Sequence, residues 1–247
     1  MQSPSLVLLS GQQALQRAMD IVANNVANAS TTGFKRQGIE FDTLLTPTAP
    51  GQGLNFVLDR ATYRDVANGP IVPTGNQLDL AIQGKGYFQV QTPEGTTAYT
   101  RNGAFQLDSQ GRISTLAGQP VLGDGGQPIT VPNTVSQINI GDDGAVTARV
   151  DNGANLAQLG KISIVKFENE QQMQPKGNGL YGTSQISAPA VESFVVQGAI
   201  EESNVQPVTE ITQMIQVMRA YERASTLISQ ENQRLNTAIT TLSKTTF

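Results

Sequence analysis

Apolar residues at both ends of this chain recur at helical spacing, while the long stretch between them alternates at strand spacing. Towards the C-terminus Ile211, Met214, Met218, Tyr221, Ser225, Ile228, Asn232, Leu235, Ile239 and Leu242 follow one another in steps of three and four, the seam spacing of a coiled coil. Near the N-terminus Leu8, Leu15, Met19, Val22, Val26 and Ala29 form a second stripe. The pattern predicts an α+β fold in which paired, coiled-coil-like N- and C-terminal helices accompany an all-β antiparallel central domain. Fully burying a large apolar side chain contributes roughly 1.5–3 kcal/mol, so a seam of this length requires a partner. The N-terminal helix supplies one, packed antiparallel, but it is the shorter of the two. The surplus predicts contact with another subunit.

The boundaries follow from punctuation. Residues 1–33 read as the first helix, closed by Gly33 in a left-handed conformation. Its polar face carries amides (Gln12, Gln13, Gln16, Asn24, Asn25, Asn28) and little charge beyond Arg17 and Asp20. Exposed helix faces normally carry Lys and Glu, so this one is expected to be covered. Residues 34–68, with Pro47, Pro50, Gly51 and Gly53, lose the periodicity and read as an extended arm or hinge.

Residues 69–200 read as strands. Leu78, Leu80 and Ile82 alternate with polar or small neighbours, as do Phe88 with Val90, Phe105 with Leu107, and Ile138 with Ile140. Turns such as Pro93-Glu94-Gly95 and Asp142-Asp143-Gly144 separate them. Residues 201–247 form the second helix, with Pro207 early, Glu210 in the first turn, and Ser203 or Thr209 as the expected cap.

Composition removes whole classes of chemistry. The chain has no His and no Cys. Imidazole and thiolate metal sites, Ser–His–Asp and Cys–His nucleophiles and redox dithiols are therefore excluded. Sixteen basic against twenty acidic residues, net charge −4 and in no strong blocks, argue against nucleic-acid binding. No segment is long and apolar enough for direct membrane insertion. The apolar run Leu6–Leu9 is too short for a cleavable signal peptide, and the first basic residue, Arg17, comes after it.

Local motifs carry little. Gly84-Lys85-Gly86-Tyr87-Phe88-Gln89 lacks the third glycine and the helix of a dinucleotide fingerprint, and reads as a turn entering a strand. Asp142-Asp143-Gly144 reads as a hairpin turn, and Asn28-Ala29-Ser30 as a chance sequon. Glu201-Glu202 reads as surface charge, and Lys35-Arg36 is too short to act electrostatically alone. No catalytic residue, metal site or cofactor is expected. On the residues alone two other classes stay open: a hydrolytic, carbohydrate-active β domain with helical tails, and a free-standing ligand-binding module.

Two terminal motifs are more specific. Met19-Asp20-Ile21-Val22-Ala23-Asn24-Asn25-Val26-Ala27-Asn28-Ala29-Ser30-Thr31-Thr32-Gly33-Phe34-Lys35-Arg36 stands near the start. Glu202-Ser203-Asn204-Val205 and Met214-Ile215-Gln216-Val217-Met218-Arg219-Ala220-Tyr221-Glu222 stand near the end. With Thr74-Gly75-Asn76-Gln77-Leu78-Asp79-Leu80 and Tyr99-Thr100-Arg101-Asn102-Gly103 between them, the chain resembles the bacterial flagellar basal-body rod and hook family along its whole length. Gly69-Pro70-Ile71-Val72-Pro73-Thr74 resembles the proximal-rod members, and Met214-Ile215-Gln216-Val217 is equally at home in the distal-rod members.

The resemblance implies a non-enzymatic subunit that leaves the cell through the flagellar type III export apparatus and polymerises with itself and other rod subunits into the periplasmic drive shaft. The expected assembly interface comprises Leu15, Met19, Val22, Asn24, Asn25, Val26, Asn28, Ile211, Met214, Ile215, Met218, Tyr221, Ile228, Leu235, Ile239 and Leu242. Asn24, Asn25 and Asn28 are expected to hydrogen-bond across subunits, where unpaired charge would be costly.

Overall fold

The computed structural model describes residues 3–49, 52–132, 135–150 and 156–244. The chain forms two compact units: residues 1–27, 37–65 and 205–247 in one, and 28–36 with 66–204 in the other.

The first unit holds helix α1 (Ser3–Ala27), strands β1 (Gln37–Ala49) and β2 (Gln52–Arg64), and helix α2 (Pro207–Lys244). α1 packs against α2 and against both strands. Its innermost row is Ala14, Ala18, Val22 and Asn25, at helical steps of four, four and three. The small side chains of Ala14 and Ala18 let neighbouring backbone come close. Asn25, near the end of α1, bonds to Glu210, near the start of α2. Two helices that pack side by side and meet end-to-start run antiparallel.

Where the arm was expected, β1 and β2 pair as one antiparallel hairpin, from Gln37 opposite Arg64 to Ala49 opposite Gln52. The pairing shifts register at Glu40/Phe41 and again at Pro47/Ala49. Such shifts interrupt the two-residue pairing pattern of a regular strand, so no single alternation marks the segment in sequence. α2 starts at Pro207 as its first helical residue, with Gln206 as the cap. The backbone carbonyl of Gln206 accepts from the Glu210 N–H, and its side chain accepts from the Thr209 hydroxyl. Neither Ser203 nor Thr209 is therefore the cap.

The second unit is antiparallel β. Its largest sheet runs in the order Gln174–Gly177, Leu180–Gly182, Thr97–Thr100, Tyr87–Gln91, Ile164–Lys166, Ala188–Pro189. A three-stranded sheet orders Leu156–Lys161, Ala145–Val150 and Val135–Ile140. Shorter pairs join Phe194–Gln197 to Leu80–Gln83 and Ala199–Glu201 to Ile71–Pro73. The inward residues of the expected alternations (Leu80, Ile82, Phe88, Val90, Phe105, Ile138, Ile140) form the main core, while Leu107 is exposed. Phe88 and Phe105 meet edge to face, centroids 5.2 Å apart.

Beside that core lies a buried ion cluster. Lys35, Arg101 and Glu201 are 3, 3 and 1 % exposed. Glu201 Oε1 accepts from Lys35 Nζ at 2.6 Å and from the Gly69 N–H at 2.9 Å, and Oε2 accepts from Arg101 Nε. Arg101 also donates to the carbonyls of Ile82, Gly84 and Gly86, which occupies the turn read above as a strand entry. Lys35 donates to the Ala67 carbonyl. The surface-charge reading of Glu201 and the dismissal of Lys35 are thus corrected: each is held inside by an opposite charge from a distant segment. Gly33 does adopt a left-handed φ of 69°, but six residues beyond the helix end at Ala27. A Cβ there would lie 2.6 Å from the Arg101 carbonyl carbon, so the glycine serves a close backbone approach.

Candidate assembly interface

The two rows along α2 decide what this helix can do. Met214, Val217, Tyr221, Ala224, Ile228, Glu231 and Leu235 are half-buried, and with buried Glu210 they step by four and three. The expected seam shares Met214, Tyr221, Ile228 and Leu235 with this row. At the alternate positions the covered residue stands one place earlier, at Val217 and Ala224 instead of Met218 and Ser225.

Met218 belongs instead to a second row. Val208, Ile211, Ile215 and Met218 are 79, 47, 43 and 42 % exposed. At about 100° per residue they cluster on one face, roughly a third of a turn from the half-buried row. Ile239 and Leu227 are also exposed. The Leu242 side chain lies outside the described residues.

On α1, Val22 is buried, Leu15, Met19 and Val26 are half-buried, and Leu6 and Leu9 are exposed. Asn24 faces solvent and Asn28 is half-buried, its side-chain oxygen accepting from the Thr31 hydroxyl.

Asn25 departs from the cross-subunit expectation. It is fully buried within its own chain. Its amide donates to the Gln37 carbonyl at 2.8 Å and to Glu210 Oε2 at 3.0 Å, and its oxygen accepts the Gln37 N–H at 2.9 Å. One side chain thereby fastens α1, the start of β1 and the first turn of α2. Asn25→Ala orphans the buried end of that network, and an expected loss of about 2–3 kcal/mol follows. Urea denaturation followed by the helical circular-dichroism signal checks it. Sequence reasoning placed Asn25 on the polar face and so missed this role, although its step of three from Val22 puts it on the inner row.

No helix among the described residues is long and apolar enough to cross a membrane. Nor, among them, does any group of three or more His, Cys, Asp or Glu residues have the arrangement to hold a metal ion.

A helix pair that covers one face of α2 and leaves a second apolar face bare defines a subunit built to associate. Comparison with known proteins specifies which. Residues 6–35 match the family described as "Flagella basal body rod protein", residues 81–148 "Flagellar hook protein FlgE/F/G D1 domain", and residues 196–241 "Flagellar basal body rod FlgEFG protein C-terminal". The chain is 37 % identical over 242 residues to the flagellar basal-body rod protein FlgF of Caulobacter vibrioides, covering 96 % of each chain. It is 36 % identical over 247 residues to the rod protein FlgG of Agrobacterium fabrum, covering 90 % of this chain and 93 % of that one. With FlgF of Mesorhizobium japonicum it shares 35 % identity over 245 residues and 98 % of both chains. The chain belongs to the flagellar basal-body rod protein family and is a structural subunit of that kind.

Proposed function

We propose that this subunit, of the FlgF type with FlgG as the alternative, polymerises through α1 and α2 into the periplasmic rod that transmits motor torque. The observation that carries the reading is the bare row Val208, Ile211, Ile215 and Met218 beside a helix seam already covered within the chain. In a monomer these side chains stay in water. Between subunits each would contribute a substantial part of the roughly 1.5–3 kcal/mol of full burial, repeated at every contact along the polymer. An isologous dimer would use such a face once, whereas a heterologous contact whose rotation does not close on itself generates a filament.

The finer assignments follow from this reading and from the family. The partners are other rod subunits and further copies of the chain, the export route is the flagellar type III apparatus, and the role is structural and not enzymatic. Leu15, Met19, Val26, Ile211, Ile215, Met218 and Ile239 are the proposed contact residues, with Asn24 as a peripheral polar contact. The interior residues Val22 and Asn25 act by shaping the helix pair.

The test is incorporation. A chain ending before Pro207 is expected to be absent from purified basal bodies of cells that carry no other copy, and those cells should not swim. Basal bodies that contain the shortened chain would overturn the reading.

A further inference from the structure

The ion cluster around Glu201 has no part in the helical interface, yet it sits where the chain enters and leaves the β unit, at residues 28–36, 66–70 and 199–204. Three segments far apart in sequence meet there. Lys35 comes from the first, Gly69 from the second and Glu201 from the third, with Arg101 anchored to the 82–86 turn behind them. Asn204 completes the tie: its oxygen accepts the Arg36 N–H at 2.7 Å and its amide donates to the Ala67 carbonyl at 3.0 Å. The Gly33 N–H donates to the Glu201 backbone carbonyl at 2.8 Å, and Glu202 N–H to Pro70 at 2.9 Å. In the middle passage Val66, Ala67, Asn68 and Pro70 are all exposed. By contrast the main core is a cluster of buried apolar side chains, Leu80, Phe88 and Ile113 among them.

We propose that Glu201 is the latch of a clamp holding these three passages in one register, and that acid opens the clamp while the rest of the β unit stays folded. The chemistry is direct. Lys35 and Arg101 are both hydrogen-bond donors and both positive, so a protonated Glu201 removes the counter-charge paired to each and sets its own O–H among N–H groups. Glu170, accepting from Tyr87, is the other charged group acting on Lys35 within the unit. Burial alone would raise the Glu201 carboxyl, but the charges and hydrogen bonds of Arg101 and Lys35 outweigh it and hold the group below its ordinary 4.5. A depressed carboxylate stabilises the fold fully above that ordinary value, and the contribution is lost as pH falls through the lower, folded value. Opening therefore lies below pH 4.5.

Amide hydrogen exchange on the full-length chain tests the clamp. In the wild type the amides of Gly33, Arg36 and Gly69 should lose protection together below pH 4.5, ahead of those of Ile113 and Val121, which bond within the core. In Glu201→Gln at pH 7 the same three amides should lose about a hundredfold or more of their protection, the scale on which a broken buried ion pair acts. Ile113 and Val121 should hold, and the acid step should flatten. Loss of all five amides at one pH in the wild type, which needs no variant, overturns the proposal, as does a Glu201→Gln chain with unchanged protection. Neither result depends on whether the helices polymerise.

Discussion

Ile215→Asp combined with Met218→Asp is expected to abolish incorporation into basal bodies and swimming, while the isolated chain keeps its helical content and its stability. The two residues are exposed in the single chain, at 43 and 42 %, and substitutions at such positions usually shift stability within about 0.5 kcal/mol. In the polymer the same positions are proposed to meet apolar side chains of a neighbour. A carboxylate there must either stay hydrated, which forces the surfaces apart, or lose its water without a cation, which costs several kcal/mol. That cost recurs at every subunit, so the polymer should be lost outright and not merely weakened. Gln106→Asp, on an exposed strand position of the β unit, is the control. Equal defects from Asp at 215, 218 and 106 would remove the reason for placing the interface on α2.

How far the sequence could be read depended on whether periodicity or distance carried the information. α1, α2 and the strand around Ile138 each turn one row inward, and the strands around Leu80 and Phe88 carry a large apolar core residue at every second position although Ala81 and Tyr87 are buried as well, so spacing alone predicts them. The β1–β2 hairpin was hidden because its register shifts twice, breaking the alternation that would mark each strand. On α2 the step of three or four fits two rows that share Met214, Tyr221, Ile228 and Leu235. Apolar residues at both Val217 and Met218 leave the choice to tertiary packing. The ion cluster was out of reach for another reason. Lys35 and Arg101 lie 166 and 100 positions from Glu201, and a single charge has no period. One local clue existed: on the strand Ala199–Glu201 the buried residues are the first and third, which puts Glu201 on the inward side with Ala199. A charge on the inner face of a strand implies a buried partner.

Gly103→Ala is expected to be among the most damaging single-methyl changes in the β unit, costing about 4 kcal/mol or more. The backbone here needs glycine for room. A Cβ at Gly103 would lie 1.6 Å from the Leu80 carbonyl oxygen, 2.7 Å from its carbon and 3.3 Å from the Phe88 ring. None of these atoms can yield cheaply. The Leu80 N–H is bonded to the Gly103 carbonyl at 2.9 Å, so pushing the strands apart breaks that bond. Leu80 and Phe88 are both fully buried, and the Phe88 ring is held edge-on by Phe105. Leu80–Gln83 is also paired to Phe194–Gln197, so relief at one atom displaces two strands and the packing beneath them. At a few degrees per kcal/mol for a unit of this size, the melting temperature of the β signal should fall by roughly 10–15 °C. Gly125→Ala, where an added Cβ meets nothing within 4 Å, should stay within about 0.5 kcal/mol of the parent. A Gly103→Ala protein that melts with the parent would mean that the close approach of residue 103 to Leu80 does not exist in solution.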